Sequence, residues 1–440
     1  MMKVKPLNNI DMKQNTEIMK LTVFVDEGQL EEFLDSTKTM QRGIAYEWEG
    51  ECVVHLFTKA KAHGYGKQHE VRFFRGKVSE YQPDTYVVEV TRTDGAVKAD
   101  VYYINADGTK VVANVNYIPK MANLYSRSKG LLEVNILEAK RVLIIGLGSF
   151  GSNISIELAK AGVGQFVVFD LDRTELQNLA RNTATVKDLG RLKTDVIEEA
   201  IKGKNPYAEV EKYPIDINEY LELLEEEVAK ADLVICATDN NKSRFNISTI
   251  LVKKQKIGIF GRAVTRAEGG DVFVQRPGGP CYCCLIGNQW FAQAQEEITN
   301  VASARRNGQI AAYVSEEDAE AVVQVGLSAD IEPICNMMVK LALMELSRGT
   351  QSGISCLEDE LVWDYYMWAN RRERRHKNWA PMPGAVNKPT ILRWYGARIS
   401  RNENCCLCSN HDMQLDEGEG LLEDYGIEIK NTDLSDVTIE

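Results

Sequence analysis

RVLIIGLGSFGS, residues 141–152, decides the fold. Val142–Ile145 is a short apolar run of the kind buried on both faces of a parallel sheet. Gly146, Gly148 and Gly151 follow in G-x-G-x-x-G spacing, and SNISIELAKAG (152–162) reads as a helix. Strand, glycine turn and helix together bring backbone N–H groups and the positive end of a helix dipole to a phosphate. QFVVFDLD (165–172) supplies a second strand that ends at Asp170, where an acid can accept hydrogen bonds from ribose hydroxyls. ADLVICAT (231–238) and QKIGIFG (255–261) are further short apolar runs. Alternating strands and helices predict a doubly wound, Rossmann-like, mostly parallel α/β sheet.

Glycine spacing alone admits a dehydrogenase as readily as a triphosphate-binding enzyme. The polar residues that follow separate the two. Asn178 and Arg181 close NLAR (178–181), Lys193 lies beyond, and Asp239 stands in ATDN (237–240) just past a strand. A pyrophosphate held on backbone groups needs no such set. A triphosphate needs cations, here Arg181 and Lys193, and a carboxylate to hold magnesium, here Asp239.

Six of the ten cysteines fall in two clusters, CYCC (281–284) and CCLC (405–408). Cys281 with Cys284, and Cys405 with Cys408, form two C-x-x-C pairs. Four thiolates suit a tetrahedral structural zinc ion, which would tie the carboxyl-terminal segment back to the core. Cys283 and Cys406 are spare members, expected as packed or loosely exposed thiols.

Taken together these stretches resemble the ThiF/MoeB-type adenylating enzymes, which include the ubiquitin-activating enzymes. The resemblance covers about Leu124 to Cys408. It rests on YSR (125–127), GLGSFGS (146–152), FDLD (169–172), NLAR (178–181), Lys193, ATDN (237–240), CYCC and CCLC. It implies ATP and Mg2+ as cofactors, with Gly146, Gly148, Gly151, Asp170 and Asn178 on the nucleotide. Arg181 and Lys193 would hold phosphates, Asp239 the magnesium ion, and the four paired cysteines a structural Zn2+. Arg127 resembles the arginine that family members insert into a partner subunit's ATP site, which implies a homodimer. The implied reaction is attack of a carboxylate on the α-phosphate of ATP, giving an acyl-adenylate and pyrophosphate. The implied substrate is the carboxyl terminus of a small ubiquitin-like protein, in a bacterial modification or sulfur-transfer pathway, with a conjugating enzyme or sulfur acceptor downstream. The alternative is a ribosomally made peptide held by an amino-terminal clamp domain.

Ubiquitin-type activating enzymes also pass the acyl group to a cysteine of their own. Residues 288–318, expected as a crossover loop, contain none. In VVQVGLSADI (322–331) only Val322, Val323, Gln324 and Val325 precede Gly326, where the family can place one. Cys335 falls in the apolar helix DIEPICNMMVKLALMEL, Cys236 in a strand, and Cys52 in the front of the chain. Cys356, in SGISCLEDE, is the remaining candidate for a thioester.

The rest of the 440 residues reads more plainly. Residues 1–20 are polar and expected to be flexible. Residues 21–120 are mostly strand-like, from LTVFVDE to KVVANVNYI, with EGQLEEFLD as a helix, and predict a small β-rich α+β recognition domain. LYSRSKGLLEVNILEAK (124–140) predicts a helical lead-in to an adenylation domain spanning 121–410. Residues 411–440 form an acidic tail, and RRERRHK (371–377) a basic solvated face. A net charge of −12 argues against a general nucleic-acid binder. No apolar run suits a membrane span or a signal peptide, so the expected setting is the cytoplasm, with no membrane partner. The five histidines are scattered and offer no metal or triad cluster.

Overall fold

The computed structural model describes residues 21–48, 52–58, 66–118, 124–264, 267–287, 326–371 and 390–409. The expected flexible start (1–20), the crossover loop (288–318), Val322–Val325, nearly all of the basic run and the acidic tail lie outside the described residues. The chain divides into two compact units between Ser126 and Arg127.

The first unit is a sheet with one helix. In chain order it comprises β1 (Thr22–Asp26), α1 (Glu27–Asp35), β2 (Met40–Trp48), β3 (Val53–Phe57), β4 (Lys67–Arg75), β5 (Thr85–Thr93), β6 (Ala96–Ile104), β7 (Lys110–Val112) and β8 (Asn114–Ile118). Strand order is β7-β6-β5-β4-β2-β3-β1-β8. KVVANVNYI, expected as one strand, is two: Ala113 separates β7, which pairs with β6, from β8, which pairs with β1. The Ala113 N–H donates to Val101 O at 2.9 Å. The segment therefore changes partner at Ala113 and brings the two ends of the sheet together. Asp26 caps α1 by accepting from the Gln29 N–H at 3.0 Å. Leu30 and Phe33 of α1 pack with Val23, Val25, Leu56, Val71, Phe73 and Val88 from the strands. Such fully buried side chains each contribute about 1.5–3 kcal/mol.

The second unit carries the glycine motif. Its strands are β9 (Arg141–Ile145), β10 (Gln165–Phe169), β11 (Glu209–Tyr213), β12 (Leu233–Cys236), β13 (Gly258–Ala263), β14 (Gly269–Gln275), β15 (Tyr365–Ala369) and β16 (Arg393–Ala397). They lie in the order β11-β10-β9-β12-β13-β14-β15-β16. The first five are parallel and the last three antiparallel. Between them run α2 (Val134–Leu137), α3 (Ser149–Ala161), α4 (Lys193–Lys204), α5 (Leu221–Lys230), α6 (Asn241–Lys254), α7 (Tyr282–Ile286), α8 (Ser328–Ser347) and α9 (Leu357–Glu360). The period-two geometry of β9 divides the core. Val142 and Ile144 face a layer containing α3, α4 and α8, while Leu143 and Ile145 face one containing α5 and α6. Both sheet faces are thus covered, which is why these strands read as unbroken apolar runs.

One expectation needs correction. The lead-in 124–140 is mostly turn, with helix only at Val134–Leu137 and a single helical position at Leu124. Gly130 adopts φ +86°, left-handed backbone that breaks a continuous helix.

Candidate active site and cysteine node

The chain passes β9, then crosses to β10 on one side and later to β12 on the other. That makes β9 the switch point of the sheet, and the loops at the carboxyl ends of its neighbours form a crevice where open α/β sheets bind ligands. Gly146 ends β9 with φ +87°, and a Cβ there would lie 2.8 Å from Ala237 O. A Cβ at Gly151 would lie 1.8 Å from Gly146 O. These two glycines are therefore needed by the fold itself. Gly148 differs: its φ is −71° and a Cβ would meet nothing within 4 Å. Gly148 is the N-cap of α3, and no side chain caps the helix start. An uncapped helix start beside open space at Gly148 is an arrangement that fits a phosphate.

Asp170 closes β10 from the other side. Its carboxylate accepts from the Leu147 N–H at 2.6 Å and from the Asp172 N–H at 2.8 Å. Burial pushes this carboxyl above its usual range, against the opposing pull of Lys193 and the two N–H groups. Lys193 heads α4, with its Nζ 2.6 Å from Asp172 and 3.9 Å from Asp170. Its side chain is only 11% exposed, so it is not a plain surface lysine. The neighbouring Arg191 is engaged elsewhere, with Asp188 and Glu199.

Asn178 is local scaffolding in this structure. Its Oδ1 accepts from the Glu175 N–H at 3.0 Å, closing a short 3-10 turn over Leu176–Ala180. Arg181 ends that turn, half-buried. Asn153 joins the turn to the glycine loop, donating from Nδ2 to Ser149 O at 2.8 Å and to Arg181 O at 3.2 Å. Asp239 is exposed beyond β12, and among the described residues none pairs with its carboxylate. The backbone around it is fixed: Asn240 caps α6 through the Ser243 N–H at 2.8 Å, and buried Arg244 donates to Thr238 O at 2.6 Å. Arg127 is exposed and pairs with none of these groups.

The structure thus brings Gly146, Gly148, Gly151, Asp170, Lys193 and Asp239 to one crevice, with Arg181 tied to it through Asn153. Sequence reasoning missed Asp172, Asn153 and Arg244. Asp172 stands in FDLD, where nothing separates an acid that pairs with Lys193 from one that faces solvent. Asn153 and Arg244 sit in helices and carry no sequence signal.

The cysteines meet in a second place. Cys281, Cys284, Cys405 and Cys408 are buried, with their sulfurs all within 4.8 Å of one another. Cys281 lies 3.8 Å from Cys284 and 3.4 Å from Cys405, and Cys284 lies 3.4 Å from Cys408. Sulfurs about 2.3 Å from a tetrahedral zinc ion stand about 3.8 Å apart, so the set fits zinc. The Asn402 N–H points at Cys284 Sγ, 3.4 Å away, as backbone donors do toward metal-bound thiolates. Contacts with the Cys284 and Cys405 thiols, with burial, push the Cys281 thiol up, so a dication is what would allow four thiolates here. Tyr282 carries the node to the crevice: its hydroxyl donates to Asn241 Oδ1 at 3.0 Å, at the start of α6 and two positions from Asp239.

The ThiF family profile matches residues 123–353, just over half of the sequence. The chain belongs to the ThiF family. Among curated relatives, an "Adenylyltransferase and sulfurtransferase MOCS3" of Culex quinquefasciatus is 30% identical over 227 residues, 49% of this chain and 50% of that protein. A "Sulfur carrier protein adenylyltransferase" of Thermus thermophilus is 32% identical over 156 residues, 34% of this chain and 56% of that protein. The chain therefore spans about half the length of these relatives. A crystal structure of E. coli MccB with ATP overlaps 63% of this chain and 68% of that one, with 16% identity and a TM-score of 0.41. Within this ThiF chain, no described helix is long and apolar enough to cross a membrane.

Proposed function

We propose that this chain is an ATP-dependent adenylyltransferase that activates the carboxyl terminus of a small ubiquitin-like protein. The observation that carries the reading is Asp239, an exposed carboxylate just past β12 and next to Ala237–Thr238, the backbone that packs against Gly146. A dinucleotide oxidoreductase has no use for it, whereas a magnesium triphosphate does. The curated relatives, named as adenylyltransferases, support the same reading.

In this reading, ATP supplies an α-phosphate for attack by the carrier's carboxylate, with pyrophosphate as the leaving group. The start of α3 holds phosphate oxygens, and Asp170 accepts from the ribose. Arg181 and Lys193 neutralise phosphate charge, and Asp239 holds Mg2+. Lys193 is preset for this by its two carboxylate neighbours, which keep the ammonium inside the crevice. Such positioning and charge neutralisation are the protein's share of phosphoryl-centre chemistry. Arg127 completes the crevice of a second copy, making the enzyme a homodimer. Residues 21–120 act as the recognition domain ahead of the adenylation domain.

Mixing two inactive variants tests the dimer. Arg127→Ala and Asp239→Ala, combined, should regain about a quarter of wild-type activity through heterodimers with one intact crevice. No recovery removes Arg127 from the site. For the reaction, incubation with ATP and a ubiquitin-like protein ending in glycine should release pyrophosphate and leave AMP bound to the carrier's carboxyl terminus. Release of ADP, or turnover with short peptides alone, would sink the reading.

A thioester step has no strong residue among those described. Burial pushes the Cys335 and Cys236 thiols up, which disfavours the nucleophilic thiolate. Cys356 is exposed at the start of α9 and remains the candidate. Cys356→Ser should abolish any carrier adduct that is cleaved by excess thiol and leave pyrophosphate release intact.

A further inference from the structure

The two spare cysteines are not loose. Cys283 and Cys406 face each other with sulfurs 3.3 Å apart. Both lie within 4.8 Å of Cys405, so Cys283, Cys405 and Cys406 form a second thiol group that shares one sulfur with the first. The sequence halves mirror one another: C-x-C-C meets C-C-x-C. In each adjacent pair one cysteine belongs to the first group alone (Cys284) or to both (Cys405), and its neighbour to the second.

We propose that this node is a six-thiolate cluster for two zinc ions, bridged by the Cys405 sulfur. The first ion takes Cys281, Cys284, Cys405 and Cys408. The second takes Cys283, Cys405 and Cys406. Thiolate sulfur has lone pairs enough to bridge two soft or borderline ions, and adjacent cysteines can serve different ions. Charge supports two ions over one. The second dication neutralises the two further thiolates, so the buried cluster gains no net charge by adding it. Without a second ion, Cys283 must remain a buried thiol whose nearest polar neighbours are other sulfurs. Phe245 and Leu407 pack around the node and keep it apolar, while Cys406 is partly exposed. The second ion therefore keeps one coordination position toward solvent, filled by water or a small thiol. Three protein ligands and one open position characterise an exchangeable zinc site, in contrast to the closed first site.

The inference rests on the zinc reading of the first group, and the test separates the two. The full chain, reduced with a phosphine, is saturated with Zn(II), desalted and assayed for zinc per chain by mass spectrometry of the elements. Wild type should hold two ions, and Cys283→Ser/Cys406→Ser one. A chelator should strip the wild type in two phases, the faster one missing from the double variant. Co(II) titration should give thiolate-to-cobalt absorption that breaks at two equivalents in wild type and at one in the variant. One ion in wild type, or a Cys283–Cys406 disulfide in the saturated protein, overturns the second site and leaves the first. No bound ion overturns both.

Discussion

The nucleotide crevice and the cysteine node sit on the same sheet but are assembled differently. In the crevice, Gly146, Asp170 and Lys193 lie in one β-α-β-α run, and the Leu147 N–H reaches Asp170 across only 23 positions. The node joins Cys281 to Cys405 across 124 positions, with the antiparallel pairings of β14, β15 and β16 lying between its two halves. Local chain geometry places the first site. Completion of the fold places the second. A polar side chain of the crevice such as Asp239 can therefore be lost for function with little loss of stability, whereas a sulfur of the first four-cysteine group cannot.

The largest effect should follow from breaking the node. Cys281→Ser leaves three sulfurs and an incomplete zinc shell. Loss of about 4 kcal/mol is expected, lowering Tm on the order of 10 °C for a unit of this size. Calorimetry beside metal analysis checks it, and an unchanged Tm in a zinc-free variant would erase the contrast between the regions. Next come two glycine substitutions that divide the crevice internally. Gly151→Ala should cost about 2 kcal/mol, because its Cβ would press on Gly146 O and the backbone cannot yield freely. Gly148→Ala should leave Tm within about 1 °C yet weaken ATP binding roughly tenfold, because its Cβ enters only the space left for phosphate. Equal losses of stability would mean that Gly148 serves the fold as well.

The sequence is legible where geometry is local. GLGSFGS and the second strand ending at Asp170 are legible because each step is a strand, turn or helix start with its own residue chemistry. The C-x-x-C pairs are legible despite their separation, since four thiols have few other reasons to be so spaced. The partner of Lys193 is not, because nothing in FDLD distinguishes an Asp172 that pairs from one that faces solvent. The closure of the first sheet is not legible either. Ala113 exchanges one strand partner for another inside a single run of strand-forming residues. Cys283 and Cys406 looked redundant in one dimension, and their 3.3 Å approach depends on both clusters arriving together.

Tyr282 offers a sharper test of whether the two regions communicate. Tyr282→Phe keeps the packing against Phe260 but removes the hydroxyl that reaches Asn241. A stability cost of about 1 kcal/mol is expected, with a few-fold loss of adenylation and no loss of zinc. Unchanged activity would make the node a staple and nothing more. The smallest effect is in the pH profile. Folding raises the Asp170 carboxyl, so its ionisation costs the fold some stability as pH rises from the usual carboxylate range through the raised value. Over the same interval the crevice gains its ribose acceptor. ATP affinity should therefore rise with pH just above the ordinary carboxylate range, and Asp170→Asn should flatten that rise.

ATP–pyrophosphate exchange in the presence of a glycine-ending ubiquitin-like protein measures the central claim most directly. Wild type should exchange only when the carrier is present. Asp239→Ala should lose at least about a hundredfold while unfolding at the wild-type temperature and keeping its zinc. Undiminished exchange by Asp239→Ala would contradict the magnesium role of that carboxylate and, with it, the account of the crevice.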